Sequence, residues 1–578
     1  MNIINVNSAT EIPAAKLIGL DIETSPYPQF LKDNADVPPD PRLHRMVLAQ
    51  VCVGDNVYIL HDNFESLNPI LEDPRVVKVI HNASFESKHF LWHTKARVKN
   101  TFDTFLVEGV LESGHNPELS LEAISKKYLD ISLNKKIRDK FVEGDTLTDD
   151  MVEYAALDAW VLPQLHKCLT SEIEQVDYAH LDKVLKLEHM LLDVVTSMEL
   201  DGIDFDVPKW LELATIAKQE LVQVRAELLR MLPSPSGAKR ISIFGDESAD
   251  INLNSKDTVL KMMQKAGVEI EDLRNTTVAE VVAYNPHPLL QLYAKYAKLQ
   301  KAVTTYGEKF LENVNPVTGR IHPRVKQIET RTGRFSGSNP NLMNIPKDPR
   351  YRACFKAPDG YKLIGCDYSQ QELRILAEYS QDRGMIEAFE KGIDFHVHVA
   401  RILFKDPTID EKHPKRKVAK NLNFGLIYGM GAKKLAKALK TSVSEAKELM
   451  NAHGENFPGA FNWMQATIEL ARTHGYVETL IGRRRYLDTQ MQFETQARNS
   501  PIQGSAADQI KISLVMLKKK GIKVVNVVHD EILIESKDEN VEEEKELLEK
   551  TMIKAALKIV KHVPFEADAY VGQFWNKG

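Results

Sequence analysis

Residues 16–24, KLIGLDIET, read as a strand with alternation. Ile18, Leu20 and Ile22 fall on one face of a strand, and Asp21 and Glu23 on the other. Further strand patterns lie at 46–60, broken by a GDN turn, and at 75–81. Periods near 3.6 predict helices over 84–93, 119–129 and 150–168. Mixed strands and helices in this order predict an α/β unit over roughly the first 175 residues. From 183 to 230 the pattern is helical, with a stop at Gly202. Residues 232–250, rich in Pro, Gly and Ser, read as a loop, and helices resume over 255–266 and 286–312. In the last part, strands are expected at 361–368 and 523–535. Helices are expected at 369–392, 414–428, 433–439, 443–474 and 495–520. The segment after 540 reads as one amphipathic helix with an acidic start and a basic end, which suits the helix dipole. Lys518–Lys520 read as a solvated helix end.

The 578 residues call for several domains. Net charge is −6 and hydrophobic content 43%, both ordinary for soluble protein. No global positive field marks a nucleic-acid partner, although basic charge can be confined to a groove. The four cysteines, Cys52, Cys168, Cys354 and Cys366, form no CxxC pair. That argues against a zinc knuckle or a disulfide framework and fits a reducing cytoplasm. Neither a secretory signal nor a membrane-length apolar run is evident.

Two constellations carry chemistry. In the first, Asp21 and Glu23 project together from a buried strand. Paired carboxylates repel, and a divalent cation relieves that repulsion. A DxE alone is more often a solvated strand face. HNASFESKHF adds Glu86 just after a strand, and DDMVEYAALDAW places Tyr154 and Asp158 on one helix face. Asp103 reads as a structural or supporting acid. DIE, then HNxxFE, then YxxxD, in that order, resembles the 3′–5′ exonucleases of the ribonuclease H-like DEDD type. In that family the acids hold two divalent ions for in-line phosphodiester cleavage. The resemblance makes Asp21, Glu23, Glu86 and Asp158 the metal ligands and lets Tyr154 orient the attacking water. Glu86 departs from the family's usual Asp.

In the second constellation, YKLIGCDYSQQELRILAEYS delivers Asp367 from a strand and Glu372 from the first turn of a helix. By itself Asp367 could be a helix cap. Arg416, Lys420, Phe424 and Tyr428 recur every four residues on one helix face. Such a face could be a snorkelling basic–aromatic surface, yet two cations followed by two rings form a good nucleotide cradle. VVNVVHDEILIE places His529, Asp530 and Glu531 where a hairpin would turn.

DYSQQELRILAEYS, the run from Arg416 to Gly429, and VHDE resemble motifs A, B and C of family A DNA polymerases. TGRFS, PNLMNIP, DFHVHVA and SPIQGSAAD follow the family's order, so the resemblance covers essentially the whole chain. It implies a multidomain α/β and α+β fold, a ribonuclease H-like exonuclease domain (1–180) followed by a right-hand polymerase. The thumb falls at 185–320, the palm at 321–372 and 523–578, and the fingers with adjoining palm helices at 373–522. Asp367 and Asp530, with the backbone carbonyl of Tyr368, would hold two Mg²⁺ (or Mn²⁺ in its place), with Glu531 in support. Arg416, Lys420 and His396 would meet the dNTP phosphates. Phe424, Glu372 and Gln371 would surround its sugar and base, with Glu372 as a gate against a 2′-hydroxyl. Tyr428 and Gly429 would guard the templating position. Arg334, Asn499 and Gln503 would follow the primer–template minor groove, and His529 would touch the primer terminus.

Gln371, Met343 and Thr495 depart from the bacterial pattern of Ile, Gln and Arg. The implied activity is template-directed DNA synthesis with proofreading by a cytoplasmic monomer, and a phage source is favoured. A nuclease whose C-terminal half only binds DNA, or a non-catalytic scaffold, is opposed by the intact Asp367, Asp530, Arg416 and Lys420.

Overall fold

The computed structural model describes residues 1–30, 38–115, 117–133, 137, 140–143, 147–233, 252–439, 441–488 and 492–576. Most of the loop expected at 232–250 lies outside them. An N-terminal six-stranded sheet runs in the order Asn2–Asn5, Asn56–Leu60, His44–Val53, Leu17–Pro26, Val77–Ile80, Thr101–Asp103. The Leu17–Pro26 strand is central. It is antiparallel to His44–Val53 and parallel to Val77–Ile80. Its register shifts between Glu23 and Thr24, an irregularity at the acidic end of the strand.

The helix Asp149–Gln175 lies against this sheet through small residues. Ala155, Ala156 and Ala159 are fully buried. A Cβ on Gly19 would stand 2.4 Å from the carbonyl oxygen of Ala159, so only glycine permits this approach. Close contact here brings Asp158 to the Asp21–Glu23 face.

The helix Leu181–Asp201 serves two cores. Leu181, Val184, Leu185 and Leu192 pack with the N-terminal sheet, whereas Leu187, Leu191, Val194, Val195 and Met198 join the core of the C-terminal half. The first helix of the span expected as thumb therefore packs on the C-terminal sheet. Gly202 ends it, as the sequence suggested, with φ of 59°. The helices Val207–Met231 and Pro288–Tyr306 then pack against each other.

The C-terminal sheet has four strands, Val524–Val528, Glu531–Lys537, Tyr361–Tyr368 and Ala567–Gly572, in that spatial order. All its pairings are antiparallel. Behind it lie Phe493–Lys519 and Val541–Ile559, whose apolar residues complete the largest core. Three helices expected as single rods are broken. The 443–474 span divides at Phe457–Pro458, because proline lacks the N–H that a helix interior needs. The 369–392 span divides at Gln381 and Asp382, where Gln381 is left-handed and Asp382 caps the next helix. The 286–312 span ends its α-helix at Tyr306 and continues as a 3₁₀ turn.

The core holds charge as well as apolar groups. Glu188 accepts from Lys511 Nζ at 2.5 Å and from Arg483, and Arg483 Nε donates to Asp508 at 2.8 Å. Glu188, Lys511 and Asp508 are fully buried. Paired in this way, the charges are compensated where an isolated one would be prohibitive. Lys518 and Lys520 correct the expectation of a merely solvated end. Lys518 donates to Ser197, and Lys520 to Thr551 at 2.9 Å.

Candidate active sites

Carboxylate oxygens of Asp21, Glu23 and Asp158 all lie within 4.8 Å of one another, a grouping suited to a cation. Glu86 lies in the first turn of the helix Ser84–His93 and is 3% exposed. Burial, and then the charge of Asp21, push its carboxyl well above the usual range. Its Oε2 is buried and has no hydrogen-bond partner among the described residues. Buried carboxylates in mutual repulsion fit a divalent ion. Burial and the adjacent Asp158, which it hydrogen-bonds, also raise the Tyr154 phenol.

Asp103 has a definite supporting role. Its Oδ1 accepts from the N–H groups of Asn82 and Phe105, and its Oδ2 from that of Ala83, at 2.9–3.0 Å. One carboxylate thus secures the turn that carries Glu86 and caps the helix Thr104–Leu111. These acids line a cleft of about 1830 Å³ whose other wall includes Arg324, Lys326 and Arg331.

The second site sits at one end of the C-terminal sheet. Asp367 lies opposite Glu531 on one side and Asp568 on the other. His529 and Asp530 form the two-residue turn between Val528 and Glu531, and His529 takes φ of 57°. A tight turn needs a positive φ, so the exposed His529 sits there for geometry as well as chemistry. Burial, and then the charge of Asp367, raise the Asp530 carboxyl. A carboxylate disfavoured by its neighbour's charge again fits a cation.

Glu531, opposite Asp367 in the sheet, is held by other side chains. Its Oε1 accepts from the Tyr570 hydroxyl and, at 3.2 Å, from Trp575 Nε1, while Arg352 stands 3.7 Å from Oε2. Burial and the charge of Asp367 raise it, and the bonds from Tyr570 and Trp575 pull it back. A Cβ on Gly365 would lie 2.3 Å from the Tyr570 ring, so glycine makes the room that Tyr570 occupies.

Glu372, in the first turn of Gln371–Ser380, accepts from Arg334 at 2.5 Å and from Tyr428 at 2.9 Å. Gln503 hydrogen-bonds Tyr428 as well. Phe424 and Tyr428 stack with centroids 6.3 Å apart, and His396 lies 5.5 Å from Phe424. Lys420 is exposed. Arg416 donates through Nε and Nη2 to Asp394 at 3.1 and 2.6 Å. Gly429 closes the helix Pro414–Ile427 with φ of 68°, and a Cβ there would lie 2.8 Å from Thr495 Oγ1.

Three residues expected to contact nucleotide or DNA, Gln371, His396 and Asn499, are buried. Gln371 Nε2 donates to Gln509 at 2.8 Å and to the Ala506 carbonyl at 3.2 Å, so its amide braces the long helix. His396 and Asn499 are 3% and 8% exposed. Tyr368 sends its hydroxyl into the core, to Ser513 and the Met552 carbonyl. Met343 packs against that core.

Sequence reasoning passed over Asp394, Asn423, Tyr570 and Trp575. Asp394 opens the DFHVHVA run already singled out and Asn423 adjoins Phe424. The alternation in ADAYVG marks Tyr570 as a strand residue facing the same side as Asp568.

Comparison with known proteins agrees with both halves. The family model for DNA polymerase family A matches residues 238–577, and that for a 3′-5′ exonuclease matches 7–174. DNA polymerase I of Pseudomonas aeruginosa is 32% identical over 542 residues, covering 89% of this chain and 58% of its own length. DNA polymerase I of Aquifex aeolicus is 30% identical over 569 residues, covering 92% and 94%. The chain spans about half the length of the Thermus relatives, 52% of the thermostable DNA polymerase I of Thermus filiformis, at 33% identity over 75% of this chain. A solved structure described as the POL domain of Pol1 from M. smegmatis in complex with DNA primer-template and dNTP superposes with a TM-score of 0.81. It is 26% identical and covers 98% of this chain and 97% of its own. The relatives named are bacterial, and they lend the expected phage source no support. Among the described residues, no helix is long and apolar enough to cross a membrane.

Proposed function

Because the chain belongs to DNA polymerase family A and carries a 3′–5′ exonuclease domain ahead of its polymerase half, we propose that it extends a DNA primer on a template and removes nucleotides from the primer's 3′ end. The observation that carries this reading is the convergence of Asp367 and Asp530 at one end of the sheet, each on its own buried strand or turn. Mg²⁺, two ions per site with Mn²⁺ able to substitute, would be held by Asp367, Asp530 and the Tyr368 carbonyl in one site and by Asp21, Glu23, Glu86 and Asp158 in the other, where it would acidify the attacking oxygen and neutralise leaving charge.

The chain's own groups do the rest. Arg416 and Lys420 supply positive charge one turn apart for the dNTP triphosphate. Phe424 offers a ring face to its sugar and base. Glu372, fixed by Arg334 and Tyr428, fills the space that a 2′-hydroxyl would need. Arg334, Gln503 and the largely buried Asn499 would follow the minor groove, and His529, exposed at the hairpin tip, would meet the primer end. Glu531 would support the site and steadies the hairpin through Tyr570 and Trp575. In the N-terminal site Tyr154 orients the attacking water.

The domain assignment follows: exonuclease over 1–180, thumb helices Val207–Met231 and Pro288–Tyr306, palm sheet with its flanking helices, and fingers around Pro414–Ile427. A cytoplasmic monomer acting in DNA replication fits this reading.

Primer extension with wild type, Asp530→Ala and Asp21→Ala, each with and without dNTPs, tests it. Extension should be lost in Asp530→Ala alone, and primer shortening without dNTPs should be lost in Asp21→Ala alone. Shortening without any wild-type extension would replace the polymerase reading with that of a nuclease.

A further inference from the structure

Three helices of the fingers region meet at one buried amide. Asn423, on Pro414–Ile427, is 2% exposed. Its Nδ2 faces Nδ1 of His396, on Phe395–Phe404, at 3.0 Å. Its Oδ1 faces Nε2 of His453, on Val443–Asn456, also at 3.0 Å. His396 and His453 are 3% and 8% exposed. An amide nitrogen only donates and an amide oxygen only accepts. Nδ1 of His396 must therefore be bare, and Nε2 of His453 must carry hydrogen.

Burial lowers His396 to about 4, with Arg416 and Lys420 adding to the effect and Asp394 opposing it. Burial alone brings His453 to about 4. Both rings are neutral near pH 7, and a neutral ring with a bare Nδ1 holds its proton on Nε2. That Nε2 makes no hydrogen bond among the described residues and is not among the atoms sealed from solvent. The ring stands beside Phe424 and two residues from Asp394, the partner of Arg416. A third cation at this point would be repelled by Arg416 and Lys420. A neutral N–H adds a directed hydrogen bond without that repulsion.

Building on the polymerase reading above, we propose that Asn423, itself held by His453, is a positioning residue that locks His396 in its Nε2–H tautomer and so presents one neutral donor to the triphosphate of the incoming nucleotide.

The test joins spectroscopy to kinetics on the full chain. With ¹⁵N-labelled histidine, long-range ¹H–¹⁵N correlation spectra at neutral pH should give His396 the Nε2–H pattern, its signals identified by their loss in His396→Leu. Asn423→Asp, whose carboxylate accepts from Nδ1–H, should shift that pattern towards Nδ1–H or imidazolium. In single-nucleotide incorporation, Asn423→Leu and His453→Phe should raise KM for dNTP by about tenfold, or about 1.4 kcal/mol, with kcat changing much less. His453→Gln, which keeps an N–H towards Asn423, should restore the wild-type KM. An Nδ1–H or imidazolium pattern in the wild type would overturn the proposal, as would an unchanged KM in Asn423→Leu or His396→Leu. Those results leave wild-type extension intact, whereas absence of extension refutes the polymerase reading itself.

Discussion

The hydroxyl of Tyr428 donates to Oε2 of Glu372 at 2.9 Å, so the end of one helix is fastened to the first turn of another. Arg334 holds the other oxygen of the same carboxylate. Burial and Glu372 together push the Tyr428 phenol up to about 12, so it stays a donor at neutral pH. If Glu372 gates the sugar as proposed, Glu372→Ala should open that space. The ratio of ribonucleotide to deoxyribonucleotide incorporation is expected to rise about tenfold or more, equivalent to about 1.4 kcal/mol. Paired single-nucleotide kinetics measure it, and an unchanged ratio would remove Glu372 from the sugar site.

Arg416 is engaged before any nucleotide arrives, because Asp394 takes two of its donors. Asp394 also caps Phe395–Phe404 through the Val397 N–H. Asn caps as well as Asp does but carries no charge. Asp394→Asn should therefore lower KM for dNTP severalfold while stability changes by no more than about 1 kcal/mol, since the pair is partly exposed. Nucleotide titration and thermal melting check the two halves, and a raised KM would make Asp394 an aid to phosphate binding.

Asp103 supports the N-terminal site without belonging to it. Asp103→Ala removes a cap and the anchor of the Glu86 turn, a loss of about 1 kcal/mol or more. Primer shortening should fall with extension unaffected. Equal loss of both activities would point to general unfolding, which the melting temperature would report.

Lys511 makes stability depend on pH. Burial, reinforced by Arg483 and opposed by Glu188, brings it to about 8 from the 10.5 of a free lysine. Between about 8 and 10.5 the unfolded chain keeps a proton that the folded chain has released, so this residue's contribution to stability rises with pH across that window. Below about 8 both states are charged and the contribution is flat. Melting of wild type relative to Lys511→Met should show that rise between pH 8 and pH 10. A falling difference would mean that the Glu188 pairing governs Lys511. Glu188→Gln, which leaves Arg483 and Lys511 facing each other, should destabilise by about 3–5 kcal/mol at neutral pH.

The strand and helix periods located the elements well, because Asp21 and Asp367 end apolar runs that are buried in the strands they occupy. Order and spacing also brought Glu23, Asp158, Phe424 and Tyr428 to the right faces. Partnerships across the fold had no local signature. Nothing beside Arg416 in sequence announces Asp394, and nothing beside Glu531 announces Trp575, since each pairing depends on tertiary contact. The inward turn of Gln371 depends likewise on Gln509, far along the chain. Helix breaks at Pro458 and Asp382 were written locally but were overridden by the strong apolar period on either side.

The helix Leu181–Asp201, with one face in each core, bears on how such a chain can change over generations. A deletion that trimmed away the N-terminal unit would strand Leu181, Leu185 and Leu192 in water and leave the surviving half prone to aggregate. Loss of the proposed exonuclease activity would therefore come first through single acids such as Asp21 or Asp158, leaving an intact but inert domain in place as scaffolding. A chain that lost those acids would accordingly keep this N-terminal bulk for the packing of Leu181–Asp201.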